Sequence, residues 1–558
     1  MGIYLNPGKD RCVEAINSQI YVDKTDVIAF LNTLVNTKQK YLCVSRPRRF
    51  GKTTTMDMLC AYYGIGADSR ELFATRKLAQ CPQWDKYWGK FNVFRLTMTA
   101  FLKAGRPLEQ GLRYMEKILL RELQQQYAGM VLLDPENLQL TMQQITAETG
   151  TSFVVCIDEW DVVFRQFKHD YTAQRQYLDY LRDWFKDQSC IAMAYMTGIL
   201  PVKKYGHQSA LNMFDEYSMI DPLQLAPYTG FTAAEVQELC REYGMDYREV
   251  AAWYDGYVVT DESPADAAFR ASKDPNKVRP QPNEYHLYAP LSVVKAMLNG
   301  VLDCYWNNTE TYEALAEYIR MDFVGLKEIV ARLMAGEHIP VDLSTYSNDM
   351  TTISRRDDVL ALLVHLGYLG YTKYRNVWKP GQPHGEVFMP NREVLQVYNT
   401  CMIASPEWSS TMRALRNSQE LLEATWAGNA KRVAELVEEA HDKAGNRTYS
   451  SEAALSYAVQ LAYYKAQDYY TLLPEVDSGK GYVDLMYLPK DQAHPALLVE
   501  LKYEQCPETA IDQILRKDYP SRLEHYAGNL ILVGISYDKE ATAKAPNYKH
   551  HSCRLLRA

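Results

Sequence analysis

Over about the first 230 residues, short apolar runs alternate with longer amphipathic or polar stretches. The runs are "YLCVS" from Tyr41, "FNVFRLTM" from Phe91, "SFVVCID" from Ser152 and "CIAMAYMTG" from Cys190. A strand buried on both faces reads as a continuous apolar run, and parallel neighbours need a crossover, usually a helix, between them. The alternation therefore predicts a parallel α/β sheet.

The chain of 558 residues is too long for one core, and about three or four folding units are expected. From "GFTAAEVQELCREYG" to about Tyr312 the pattern is mostly helical, with a polar, Pro-containing stretch from Asp261 to Asn283 read as an exposed insertion. Between Ser354 and Val394, "RRDDVLALLVHLGYL" leads into "GYTKY", a turn "KPGQPHG" and "EVFMP". A helix feeding a β-hairpin in this way suggests a winged-helix module. Ser409 to Asp442 is strongly helical and reads as a connection between two halves. After it come a helix ("SEAALSYAVQLAYYKA"), three strands ("YTLLPEV", "GYVDLMYL", "ALLVELKY"), a helix ("TAIDQILRKDY") and a final strand, "NLILVGISY".

Composition excludes several classes. With 47% hydrophobic and 23% charged residues the chain is not globally disordered. No apolar run reaches the roughly 18 residues that span a bilayer, and "MGIYLNPGKDRC" lacks the apolar segment of a secretory signal, so a cytosolic protein is expected. The 11 cysteines show no C-x-x-C spacing and form neither a zinc site nor a disulfide framework. A net charge of −8 argues against a surface coated in basic residues, though not against a local basic groove.

The first candidate site follows the first run. A G-K-[S/T] tripeptide alone decides nothing, since average frequencies place one in about one chain in four of this length. Here Gly51, Lys52 and Thr53 stand between a strand and a helical run. In that setting loop N–H groups and the helix N-terminus face a phosphate, Lys52 reaches the β/γ oxygens, and the Thr53 hydroxyl ligates Mg²⁺. The third run ends in Asp158 and Glu159, at the strand edge where open parallel sheets bind ligands. Asp158 would hold Mg²⁺, and Glu159 would orient and deprotonate the attacking water. Either half alone reads more simply as a capped loop; together, in this order, they predict a nucleotide site. Thr197, ending the fourth run, reads equally as a γ-phosphate sensor or a turn-forming Thr-Gly. Lys203 and Lys204 read as a solvated pair before they read as transition-state cations.

The loop departs from the usual pattern. Arg46 replaces the first glycine and Pro47 stiffens the entry turn. Arg46, Arg48 and Arg49 read either as extra charge near the phosphates or as surface residues. Arg46, Pro47, Arg48, Arg49, Phe50, Gly51, Lys52, Thr53 and Thr54 together form the expected nucleotide-binding segment.

The second candidate site lies near the C-terminus, in "GYVDLMYLP" and "ALLVELKYEQ". An E-x-K triplet occurs about twice by chance in a chain this long. Strand alternation, however, puts Glu500 and Lys502 on one face, with Asp484 on the neighbouring strand. Asp484, Glu500 and the Leu501 carbonyl are hard oxygen ligands suited to Mg²⁺, and Lys502 would position water or stabilise the transition state. The plainer reading is an edge strand whose acid and lysine discourage aggregation.

The stretches "YVDKTDVI", "SRPRRFGKTT", "VVCIDEWD", "TGILPVKKYGHQSALN", "WYDGY", "LGYL" and "MPNREV" resemble bacterial AAA-ATPase-like proteins that carry a C-terminal nuclease-like domain of the PD-(D/E)XK type. The resemblance covers nearly the whole chain, and the family's phosphate loop also reads R-P-R-R-F-G-K. It implies a multidomain α/β protein with a P-loop ATPase parallel sheet (1–230), a helical lid region (231–330), a winged-helix-like module (331–408), a helical linker (409–442) and a restriction-endonuclease-like α/β domain (443–558). It implies ATP and Mg²⁺ as cofactors, DNA or RNA as partner with DNA favoured, no membrane, and leaves a homo-oligomer open. It adds Glu452 and Gln513 to the nuclease site, with Lys517 and Tyr519 fitting the trailing pattern loosely. Two other functions stand beside this one: a nucleotide-dependent switch whose nuclease-like domain holds but does not cut, and an ATP-dependent protein remodeller.

Overall fold

The computed structural model describes residues 2–103, 105–202, 211–261, 283–306, 315, 326–334, 336–343, 355–374, 383–403, 409–441, 455–456, 459–460, 462–477, 482–491, 493–516, 529–538 and 550–557. Lys203, Lys204, Glu452, Lys517 and Tyr519, and the insertion 262–282, lie outside them. The chain divides into two compact units, residues 1–309 with 340–394 and residues 310–339 with 395–558.

The first unit is built on a parallel sheet. Strands β1 (Tyr41–Ser45), β2 (Asn92–Thr97), β3 (Phe153–Asp158), β4 (Ile191–Gly198) and β5 (Asp215–Tyr217) lie in the order β2-β3-β4-β1-β5. Every residue of β1, β3 and β4 is buried, which is why these strands read as unbroken apolar runs. β5 was not anticipated: its three residues, Asp-Glu-Tyr, carry no apolar run because it is a short edge strand. At the C-terminal edge the register sets Thr97 beside Asp158, Asp158 beside Thr197, and Thr197 beside Val44.

The stretch expected to be mostly helical also holds a three-stranded sheet. β6 (Phe231–Thr232), β7 (Tyr257–Asp261) and β8 (Asn283–Tyr288) take the order β6-β8-β7, and the antiparallel register from Tyr257↔Leu287 to Asp261↔Asn283 clamps both ends of the insertion. A second small sheet has the order β10-β11-β9, from β9 (Ile339–Val341), β10 (Gly370–Lys373) and β11 (Gly385–Phe388). The helix Arg356–Leu366 precedes the β10–β11 hairpin, and its residues Asp358 through His365 are all buried. A helix enclosed on every side offers no face to a DNA groove.

The second unit carries β12 (Tyr470–Asp477), β13 (Tyr482–Pro489), β14 (Ala496–Tyr503), β15 (Leu530–Tyr537) and β16 (His551–Arg557), in that order across the sheet. β14 and β15 run parallel and the other neighbours antiparallel. The helix Pro507–Arg516 joins the two parallel strands and packs on both. Gly534 of β15 permits this approach, because a Cβ there would lie 2.6 Å from the Pro507 carbonyl oxygen. "NLILVGISY" is not the last strand: β16 follows it, and its mostly exposed residues explain why alternation did not reveal it. Helices Ser409–Trp426 and Ala430–His441 pack on each other, and the second packs on β16, where Glu438 accepts N–H bonds from His550 at 3.2 Å and His551 at 2.7 Å. These helices belong to the C-terminal unit. Among the described residues no helix is long and apolar enough to cross a membrane.

Candidate functional sites

The phosphate loop runs from β1 into the helix Lys52–Tyr63. Gly51 caps that helix at φ 83°, a left-handed conformation that favours glycine. No side chain caps this N-terminus and no acid lies in its first turn. The contrast is the helix Ala233–Tyr243, whose N-terminal amides are satisfied by a Thr232/Glu235 capping box. Uncapped amides behind a strand edge suit an anion.

Three side chains complete the cradle. The Thr53 hydroxyl donates to Asp158 Oδ2 at 2.7 Å, so the two oxygens expected to share a cation already touch. Lys52 Nζ donates to the carbonyls of Arg46 at 2.9 Å and Pro47 at 2.7 Å. Burial pulls the Lys52 ammonium down to about 8, against the opposing pull of Asp158, Asp161 and Glu159. Burial pushes the Asp158 carboxyl up, and its bond from Thr53 and the charge of Lys52 draw it back. Glu159 stands at φ 52° beside this group, its N–H bonded to Asp158 Oδ1 at 3.0 Å. Carboxylate and hydroxyl oxygens on one side and donors on the other fit a nucleotide polyphosphate with a hard divalent ion. Thr54, exposed in the first helical turn, makes no described contact with Asp158.

Other loop residues do something different from what the sequence suggested. Arg46 is fully buried, and its Nη1 donates to the carbonyls of Ser45 at 2.8 Å and Tyr217 at 2.7 Å, tying β1 to β5. Burial lowers its guanidinium to about 10. It is a buried tie between two strands and not a surface arginine. Phe50 is 1% exposed and packs edge-on against Tyr257 in an apolar cluster with Met219 and Leu287, so its ring is core. Arg49 donates to the Tyr305 carbonyl at 2.8 Å. Pro47 abuts Gly367, where a Cβ would meet the proline ring at 2.8 Å. Arg48 is half-buried. In place of glycine flexibility, this loop is anchored by side chains to segments far along the chain.

Thr197 is engaged within the sheet. It sits at the right strand edge, but its hydroxyl is buried and donates to the Val44 carbonyl at 2.9 Å. The group that would sense a γ-phosphate is spent on the sheet.

In the second unit the sheet brings four predicted residues together. The Leu501 N–H donates to Asp484 Oδ2 at 2.7 Å, and Lys502 Nζ donates to Glu500 Oε1 at 3.1 Å. Glu500 is 1% and Lys502 9% exposed. A buried carboxylate needs a cation, and in this structure Lys502 supplies it. The donor set of two carboxylates with a backbone carbonyl has the hard-oxygen chemistry that Mg²⁺ takes. Gln513 is half-buried on the helix packed over β14 and β15, and the described contacts do not tie it to Asp484, Glu500 or Lys502. No cluster of three or more His, Cys, Asp or Glu forms a metal cage among the described residues.

Residues 15–207 match the family described as a predicted AAA-ATPase, and residues 455–545 match the PD-(D/E)XK nuclease superfamily. A protein from Azotobacter chroococcum mcd 1, described as "Uncharacterized protein in vnfD 5'region", is 25% identical over 418 residues, covering 72% of this chain and 70% of its own. Among solved structures, the Aeropyrum pernix ORC2 protein in ADPNP-ADP complexes is 12% identical, covering 68% of this chain and 92% of its own, at a TM-score of 0.27. The Aeropyrum pernix ORC1 protein in complex with DNA is 10% identical, covering 72% of this chain and 98% of its own, at a TM-score of 0.23. At such scores these two likenesses carry no argument about fold or ligand. The two family matches fall on the two units that hold the two sites, an AAA-ATPase-like region in the first and a PD-(D/E)XK nuclease-like region in the second.

Proposed function

We propose that the first site binds and hydrolyses ATP with Mg²⁺, that the second is a Mg²⁺-dependent nuclease acting on DNA in the cytosol, and that ATP state controls the nuclease. The observation that carries this reading is that one chain presents two sites, each holding a lysine near the end of a sheet strand that also supplies acids suited to phosphate chemistry.

At the first site Lys52 exchanges two neutral carbonyls for anionic phosphate oxygens, while the uncapped helix amides receive the same anion. Thr53 and Asp158 would hold the divalent ion, and Glu159 orients a water for attack on the γ-phosphate. At the second site Asp484, Glu500 and the Leu501 carbonyl would hold Mg²⁺, which when bound lowers the pKa of water and neutralises charge on a phosphodiester. Lys502, released from Glu500, donates to the non-bridging oxygen or the incoming water. The enclosed Arg356–Leu366 helix favours a regulatory role for the winged-helix-like module over base readout.

The test is a matrix of Mg²⁺ and ATP against single-stranded DNA, duplex DNA and RNA. DNA cleavage that requires Mg²⁺ and responds to ATP is expected. DNA binding without cleavage in every cell of the matrix would replace the nuclease with a nucleotide-dependent binding module. ATPase stimulated by protein and not by DNA would point to a remodeller.

A further inference from the structure

The acids that follow β3 are countered by a residue that the sequence motifs do not single out. Asp158, Glu159 and Asp161 place three carboxylates within four residues. Asp161 is fully buried, and its Oδ2 accepts the N–H groups of Ile199 at 3.1 Å and Leu200 at 3.0 Å, which fixes it in the sheet edge. Arg165, on the short helix Val162–Gln166, lies with Nη2 at 3.3 Å from Glu159 Oε2 and 3.8 Å from Asp161 Oδ1. That helix is packed in place: Val162, Val163 and Phe164 are buried, and the preceding Trp160 donates its indole N–H to the Leu200 carbonyl at 3.1 Å.

The geometry points to Arg165 as a positioning residue for ATP hydrolysis, holding the Glu159 carboxylate where it can orient the attacking water. Three features support this. Glu159 is side-chain exposed to 40% and has a left-handed backbone, so packing alone does not fix its carboxylate. Asp158 is already engaged by Thr53, which leaves Arg165 as the described cation bonded to Glu159. The contact of 3.3 Å is long for a charge-assisted hydrogen bond, so Glu159 is steered without being locked, and Arg165 Nε is buried with no partner among the described residues. A guanidinium with a spare donor beside two acids and close to Lys52 is poised to tighten on Glu159 when a polyphosphate changes the local charge.

This rests on the reading of the first site as an ATPase, and its test separates the two. Steady-state ATPase kinetics and nucleotide binding are measured for the wild type, Glu159→Gln, Arg165→Ala, Arg165→Lys and the double variant Glu159→Gln/Arg165→Ala, with melting curves as a folding control. Arg165→Ala is expected to lower kcat by about 10-fold or more with KM and ATP affinity within about 2-fold, Arg165→Lys to recover part of the loss, and Arg165→Ala to add nothing in the Glu159→Gln background. An unchanged kcat, a loss confined to ATP affinity, or an additive loss in the double variant would each overturn the positioning role while leaving the ATPase intact. Absence of hydrolysis in the wild type, or full activity of Glu159→Gln, would instead overturn the site reading and this inference with it.

Discussion

The two sites each hold a lysine, and they hold it in opposite ways. Lys52 rests on two neutral carbonyls of its own loop, with its ammonium drawn down to about 8. Lys502 is ion-paired with a buried carboxylate. The first arrangement gains when an anion arrives, because weak acceptors are exchanged for charged ones. The second gains when a cation arrives, because Glu500 then has another partner and Lys502 is freed for the phosphate. A site's resting contacts thus report the sign of the ligand it awaits.

The largest effect should come from the second site. Lys502→Ala removes both the partner of Glu500 and the proposed donor to the phosphate, and a fall in Mg²⁺-dependent cleavage of roughly 10²- to 10³-fold is expected from initial rates. Survival of cleavage would show that the lysine is only a counter-ion. At the first site Lys52→Ala should weaken ATP binding by roughly 10²-fold, measured by calorimetry, since a charged donor to phosphate is lost.

The first site also predicts a pH response. The free-state value of Lys52 is about 8, and bound phosphate raises it. ATP affinity should therefore be full below pH 8 and weaken as pH rises above it, by up to about 10-fold per unit, with no such trend from this group in Lys52→Ala. A flat profile in the wild type would mean that Lys52 does not meet the phosphate.

Smaller effects test the anchored loop. Gly367 has φ 85° and faces the Pro47 ring, so Gly367→Ala should destabilise the protein by about 1–3 kcal/mol, read from denaturant midpoints, and loosen the loop. Thr197→Val should change ATPase kcat by less than about 3-fold, because its hydroxyl serves the Val44 carbonyl; its cost is a hydrogen bond of about 1 kcal/mol in stability.

Local periodicity made much of the fold legible. The apolar runs that became β1, β3 and β4 are buried on both faces, so their ends, and with them Asp158 and Glu159 beside the loop, could be read from residue type alone. The same holds for Glu500 and Lys502, which share a face by alternation in β14. Two of the edge strands were not legible: β5 and β16 expose too much of their surface to carry an apolar signal. Nor were contacts between distant segments. Nothing near Arg46 announces a bond to Tyr217, nothing near Phe50 a packing against Tyr257, and the Thr197 hydroxyl looks free until β1 is placed beside it. Arg165 stands six residues beyond Glu159 and outside the motif, and only the short helix that begins at Val162 turns it back toward Glu159.

The most direct measurement is to assay ATP hydrolysis and DNA cleavage side by side for the wild type, Lys52→Ala and Lys502→Ala, with and without ATP. Two separate sites predict a crossed result: Lys52→Ala loses ATPase and the ATP response of cleavage, while Lys502→Ala loses cleavage and keeps ATPase. Cleavage by Lys502→Ala at the wild-type rate, or ATPase unaffected in Lys52→Ala, would contradict the account.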